Sequence, residues 1–179
     1  ESESRGLGDV YKRQLLKLIA MTIILSISST IVAEKPHLSK NQSTKNMTAN
    51  HSLKVFKSPT CGCCNRWIDH INASGIAISS QNIDNMNKVK SKYGILKSQQ
   101  SCHTSVSTEG YVFEGHIPAR VIKNFLANPP ENAIGLSVPG MPVGSPGMEM
   151  GHQHADYQVL MLLKDGNSTI YEEISGHSH

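Results

Sequence analysis

The stretch Ser58-Pro59-Thr60-Cys61-Gly62-Cys63-Cys64 puts three of the chain's four cysteines within four positions, and any fold this chain adopts has to accommodate those crowded sulfurs. The fourth, Cys102, lies in Ser101-Cys102-His103-Thr104. The sequence between them is long enough to bring the chain back to the same place.

With 179 residues the chain has room for one modest domain and its tails, since a core of this kind takes roughly 100 to 150 residues. The formal charge is +3, with no Lys/Arg block dense enough to follow a phosphate backbone, which argues against a nucleic-acid-binding protein. Residues 1–14 lack apolar periodicity and read as a non-native scar, set aside from fold reasoning. Residues 15–33 have the grammar of a signal peptide. Basic residues precede an apolar run too short to span a bilayer of about 30 Å, and Ala33 supplies the small residue a signal peptidase needs. An uncleaved membrane anchor is the alternative, and either outcome exports the remainder. Residues 34–52, rich in Lys, Asn, Ser and Thr, bury too little to offset their ordering entropy and read as a flexible linker.

The folded unit is expected over residues 53–174. Residues 53–57 alternate as a strand. Pro59 and Gly62 then break it, and Thr60 is placed to cap a helix that brings Cys64, Ile68 and Ile71 onto one face and ends near Gly75. Residues 76–79 read as a second strand. Residues 85–93 read as a polar helix with Met86 and Val89 inward, stopped by Gly94. Two strands, 104–107 and 111–114, turn at Glu109-Gly110. Pro118 opens a helix carrying Val121, Ile122, Phe125 and Leu126, which Pro129-Pro130 ends. The order β-α-β-α-β-β-α matches an α/β, thioredoxin-like sheet with helices on its faces. A Pro/Gly/Met loop over 138–151 and a hairpin of 157–163 with 169–172, turning at Asp165-Gly166, extend it. Residues 175–179 form a histidine-containing tail.

The sulfurs admit several chemistries. Cys61 and Cys64 have C-x-x-C spacing at a helix start, where amides and dipole favour a thiolate, so a thiol-disulfide oxidoreductase using this pair is one reading. Cys63 is an unwelcome third thiol for that couple and a useful extra ligand for a soft metal. A structural zinc site is another reading, although neighbouring side chains such as Cys63 and Cys64 diverge and suit one tetrahedral ion poorly. Two plain disulfides are permitted by an even cysteine count in an exported protein, but near-vicinal bridges are strained. Copper(I), which prefers thiolates and accepts low-coordinate and bridged arrangements, fits the crowding better.

The segments Val55-Phe56-Lys57-Ser58-Pro59-Thr60-Cys61-Gly62-Cys63-Cys64, Trp67, Ser101-Cys102-His103-Thr104, Gly115-His116-Ile117-Pro118 and Val138-Pro139-Gly140-Met141-Pro142-Val143-Gly144-Ser145-Pro146-Gly147-Met148-Glu149 together resemble the CopG-like copper-resistance family. The resemblance implies a periplasmic thioredoxin-like domain of Gram-negative bacteria, with copper held by Cys61, Cys63, Cys64 and Cys102. It also implies a role in copper resistance among other periplasmic copper-handling proteins, and a redox role toward copper or thiols. Oxidoreductases of this fold usually have a proline before the third strand, where this chain has Cys102-His103-Thr104, and a ligand in that place speaks for metal.

His103 and His116 are candidate outer-shell partners of such a site, with loop-holding polar residues as the plainer reading. His70 reads as surface or packing. Met141, Met148 and Met150 could supply thioethers, though a Met in an apolar loop is more often packing. Met148, Met150, His152 and His154 form a candidate secondary metal site, and His177 and His179 repeat the alternation at the terminus.

Overall fold

The computed structural model describes residues 51–176, so the expected scar, signal peptide, most of the linker, His177 and His179 lie outside the described residues. Seven strands form one mixed sheet. They are β1 (Ser52–Lys57), β2 (Ala77–Asn82), β3 (His103–Ser107), β4 (Val112–Glu114), β5 (Ala133–Ser137), β6 (Tyr157–Leu163) and β7 (Ser168–Ile174). Across the sheet the order is β2-β1-β3-β4-β5-β6-β7. Three α-helices accompany it among the described residues: α1 (Gly62–Ala73), α2 (Met86–Lys92) and α3 (Ala119–Ala127). None is long and apolar enough to cross a membrane.

The parallel pairs are β1 with β2 and β4 with β5, bridged by α1 and α3 respectively, because parallel neighbours need a crossover connection. The remaining pairs are antiparallel. Strand alternation then sorts the side chains. The row Val55, Ser105 and Phe113 faces one way, toward the core that α1 and α3 complete with Trp67, Ile71, Val121, Ile122 and Phe125. Phe125 packs edge-on against Tyr111, Phe113 and Tyr171 at centroid distances of 5.1, 5.6 and 5.9 Å, tying the final hairpin to the core. The opposite row, Phe56, Thr104 and Glu114, faces α2, whose C-cap Tyr93 lies 6.2 Å from Phe56.

Several expectations are corrected in detail. Thr60 does not cap α1; Cys61 is the N-cap residue, and its side chain makes no capping bond. Ser52, expected to end the linker, already starts β1. On α2, Met86 and Val89 are only half-buried and the buried residue is Lys90, because an acidic partner waits for it across the sheet. The sequence pattern shows no strand over residues 133–137, yet β5 pairs there between β4 and β6. Its Gly135, at φ +155°, lies so close to β4 that a Cβ would stand 1.7 Å from the Val112 carbonyl oxygen, next to a register shift against β6. Only a residue without a side chain fits there.

Gly135→Ala is therefore expected to destabilise the protein by about 3 kcal/mol through forced separation of β4 and β5. A urea midpoint equal to that of the unchanged protein would contradict this packing.

Candidate metal centre

Pairing of β1 with β3 sets Lys57 opposite His103, so the chain leaves β1 into the cysteine turn beside the point where Cys102 enters β3. All four sulfurs converge as a result, with ligand atoms within 4.8 Å of one another. Cys61 and Cys64 are joined as a disulfide, whereas Cys63 and Cys102 are free thiols. Cys63 Sγ lies 3.5 Å from Cys61 Sγ, and Cys102 Sγ lies 3.4 Å from Cys64 Sγ. Cys64 is fully buried on the core face of α1, and the other three are half-buried.

Imidazoles form the floor. Cys102, His103 and His116 make a second cluster whose donor atoms also lie within 4.8 Å of one another. His116 Nδ1 sits 2.8 Å from the Pro146 carbonyl, which can only accept, so Nδ1 carries the proton and Nε2 offers a lone pair. That Nε2 is 2.9 Å from Cys102 Sγ, and the thiol is the donor. His103 Nδ1 lies 3.3 Å from the same sulfur, while its buried Nε2 has no hydrogen-bond partner among the described residues. The His103 ring lies tilted against Trp67 at a centroid distance of 4.3 Å and meets His116 edge-on at 5.0 Å. Trp67 is itself fixed by its indole N–H, which donates to the Ile117 carbonyl at 2.9 Å.

Burial holds both histidines below their ordinary pKa, helped at His103 by neighbouring His116 and Lys90. They are neutral at neutral pH, the form that can ligate. Burial, reinforced by Cys63, pushes the Cys102 thiol up to about 12. A metal would have to displace that proton.

A buried carboxylate anchors the Cys102 segment from beneath. Glu114 accepts the Ser101 N–H at 2.7 Å and the Thr104 hydroxyl at 2.6 Å, and it pairs with the Lys90 ammonium. Ser101 and Thr104 flank Cys102 and His103, so one side chain grips both ends of this tetrapeptide. Burial raises the Glu114 carboxyl pKa, and Lys90, then Thr104 and Ser101, pull against that rise. The Gly140 N–H donates to Gln100 O at 3.0 Å, and the Ser101 hydroxyl donates to Gly140 O, stitching the segment to the long loop.

That loop roofs the site. Gly147 approaches α1 so closely that a Cβ would stand 2.7 Å from both Cys63 O and Trp67 N, and Arg66 Nε donates to Gly147 O at 3.0 Å. The glycines and prolines thus let backbone rather than side chain meet the helix. Of the methionines in the loop, Met148 is half-buried, whereas Met141 and Met150 are 52% and 57% exposed, on the solvent side. His152 and His154 are exposed near the Met150–Gln153 bridge. Among the described residues, neither cluster of three or more histidine, cysteine or acidic donors includes them. His70, which reads from the sequence as surface or packing, is an exposed residue that also caps a helix. Its Nε2 accepts the Ala119 N–H at 3.1 Å at the start of α3, where Pro118 gives no side-chain cap.

The chain is 38% identical to a solved structure described as copper resistance protein CopG, form 2, with 70% of this chain and 98% of that chain covered and a TM-score of 0.66. Form 1 of that protein is 40% identical, with 69% and 96% covered and a TM-score of 0.65. The chain belongs to the CopG family. Residues 99–148, from just before Cys102 through Met148, also match a family described as protein of unknown function DUF411. No curated protein sequence matches the chain. In this CopG-family member the four sulfurs and two imidazoles come from the start of α1, the entry to β3 and the segment after β4.

Lys90→Met should leave the Glu114 carboxylate buried without its cation and cost about 3 to 5 kcal/mol, most of it recovered in Lys90→Met/Glu114→Gln. Denaturant titration of the single and double variants checks this, and an undiminished single variant would refute the ion pair.

Proposed function

We propose that this CopG-family chain is a periplasmic copper-binding protein that takes Cu(I) as cargo on Cys61, Cys63, Cys64 and Cys102 and serves copper resistance. The observation that carries the reading is the convergence of four sulfurs within 4.8 Å. Soft thiolates crowded at this spacing suit a metal ion that tolerates low coordination numbers and bridging sulfur. The copper-resistance description of the related structures supports the same metal. A thioredoxin-like framework is part of this reading. It is supported by β1 parallel to β2, the β3–β4 hairpin antiparallel to β1, and the cysteines at the first strand-to-helix junction.

The donor set fits copper in one oxidation state of the protein. With Cys61 and Cys64 bonded to each other, two of the four sulfurs lack the charge that a thiolate ligand provides. Reduction by two electrons frees them, and then all four cysteines can bind. The neutral imidazoles of His103 and His116 lie directly behind Cys102, where they orient its sulfur or add nitrogen ligation. A thiol-redox function of Cys61 and Cys64 is the second reading, favoured by their bond across the C-x-x-C spacing.

Anaerobic copper titration is the test. Fully reduced protein is expected to load Cu(I), and Cys102→Ser should lose copper as clearly as Cys61→Ser. Protein with the Cys61–Cys64 bond closed should load less. If Cys102→Ser loads as the unchanged protein does, the four-sulfur site is wrong, and a preference for zinc over copper under the same conditions would replace the metal.

Export is expected to leave a mature chain that begins at Glu34. N-terminal sequencing of the native protein that finds residues upstream of Glu34 retained would make the segment an anchor instead.

A further inference from the structure

Three features of the cysteine cluster point to chemistry among the sulfurs themselves. One is the hydrogen bond from the Cys102 thiol to a lone pair on His116, whose other nitrogen is oriented by a backbone carbonyl. Burial disfavours a free Cys102 thiolate, so the proton has to leave as the sulfur attacks, and an acceptor held in place by a third group is what such general-base assistance requires. The second is that this thiol lies 3.4 Å from Cys64 Sγ, one of the two atoms of the disulfide, at the separation of a near-attack arrangement. The third is that Cys64 is fully buried, so a thiol arriving from solution is kept from the sulfur that Cys102 already touches.

We propose that Cys102 exchanges with the Cys61–Cys64 disulfide, forming a Cys64–Cys102 bond and releasing Cys61 as a thiol. Cys102 Sγ bonds to Cys64 Sγ, the Cys61–Cys64 bond breaks, and its electron pair leaves on Cys61 Sγ. The Cys102 proton passes to His116 Nε2 and is then returned to the Cys61 sulfur. One disulfide and one thiol are present before and after, so no outside oxidant or reductant takes part. The direction of attack follows from the leaving group. Cys61 is the N-cap residue of the 12-residue α1, where amides and helix dipole stabilise a departing thiolate, and a better-stabilised thiolate leaves faster. The competing attack, by Cys63 on Cys61 from 3.5 Å, would expel the buried Cys64 sulfur and, among the described residues, has no comparable base.

The exchange hands the bond from Cys61 to Cys102. In one form the free thiols are Cys63 and Cys102; in the other they are Cys61 and Cys63, whose sulfurs lie 3.5 Å apart. The second form presents a thiol pair to a soft metal or to a partner disulfide while Cys64 and Cys102 stay oxidised.

Metal-free protein tests this independently of copper. In a Cys63→Ser background, the oxidised protein is held at acid pH, brought to neutral pH, quenched at intervals and alkylated, and its disulfides are mapped by peptide mass spectrometry. The Cys64–Cys102 linkage is expected to appear beside Cys61–Cys64 and to reach a steady ratio. His116→Gln should slow its appearance about a hundredfold, the contribution of a general base. Cys102 fully alkylated at all times, with Cys61–Cys64 as the sole linkage, overturns the proposal, and an unaltered rate in His116→Gln overturns the role of the base. Cys61→Ser provides a second route that leaves His116 in place: mild oxidation should join Cys64 to Cys102, and both remaining as free thiols would refute their reactivity. Copper failing to bind in a separate titration would leave these outcomes untouched.

Discussion

The antiparallel pairing of β1 with β3 is the constraint on which the site depends. Cys64 and Cys102 are 38 positions apart, and a loop of that length brings its ends together only when other contacts offset the closure entropy. Those contacts are ladder bonds and the rows of side chains above and below them. The register that pairs Val55 with Ser105 and Lys57 with His103 is fixed by which residues face the α1–α3 core, since a shift of one residue would turn His103 away from Trp67. Sulfur geometry is thus inherited from hydrophobic register.

On the other face of the sheet, polar burial does what apolar packing cannot. The Glu114 carboxylate is wholly inaccessible to solvent and its cation is nearly so, an arrangement that is costly to form and costly to break halfway. In return it grips two hydrogen-bond donors on either side of Cys102. The carbonyl of Pro146 performs a comparable service for His116, and the backbone of Gly140 for Ser101. His116 and the Ser101–Thr104 segment are thus held by groups that do no chemistry themselves.

What could be read from the amino-acid order is what local spacing encodes. The cysteine turn, the first helix, the 111–114 strand and the last hairpin follow from alternation, C-x-x-C spacing and turn residues. β5 was illegible because Ala133, Ile134 and Gly135 alternate weakly, and Gly135 is there for a close approach to Val112 that no neighbour in sequence reveals. Lys90 looked like a solvated helix residue, since its partner is 24 positions away. His70 gave no sign of capping α3, whose first amide is 49 positions on. His103 and His116 were visible as companions of Cys102. Which nitrogen of His116 carries the proton depends on Pro146, and only the folded loop supplies it. The C-x-x-C spacing was compatible with a disulfide but equally with thiolates.

The outer edge of the sheet has a consequence of another kind. β2 ends in Ser79, Ser80, Gln81 and Asn82, all exposed, and its one branched apolar residue, Ile78, is half-buried. Its outer backbone groups could in principle template another chain, as any unpaired edge can. A visiting strand would find short polar side chains on both sides and little apolar surface to exclude from water, so the ladder bonds alone would have to hold it. Self-association through this edge is thereby disfavoured without a charge or a proline to block it, and the polar character of the strand acts as the molecule's guard against fibrillar growth.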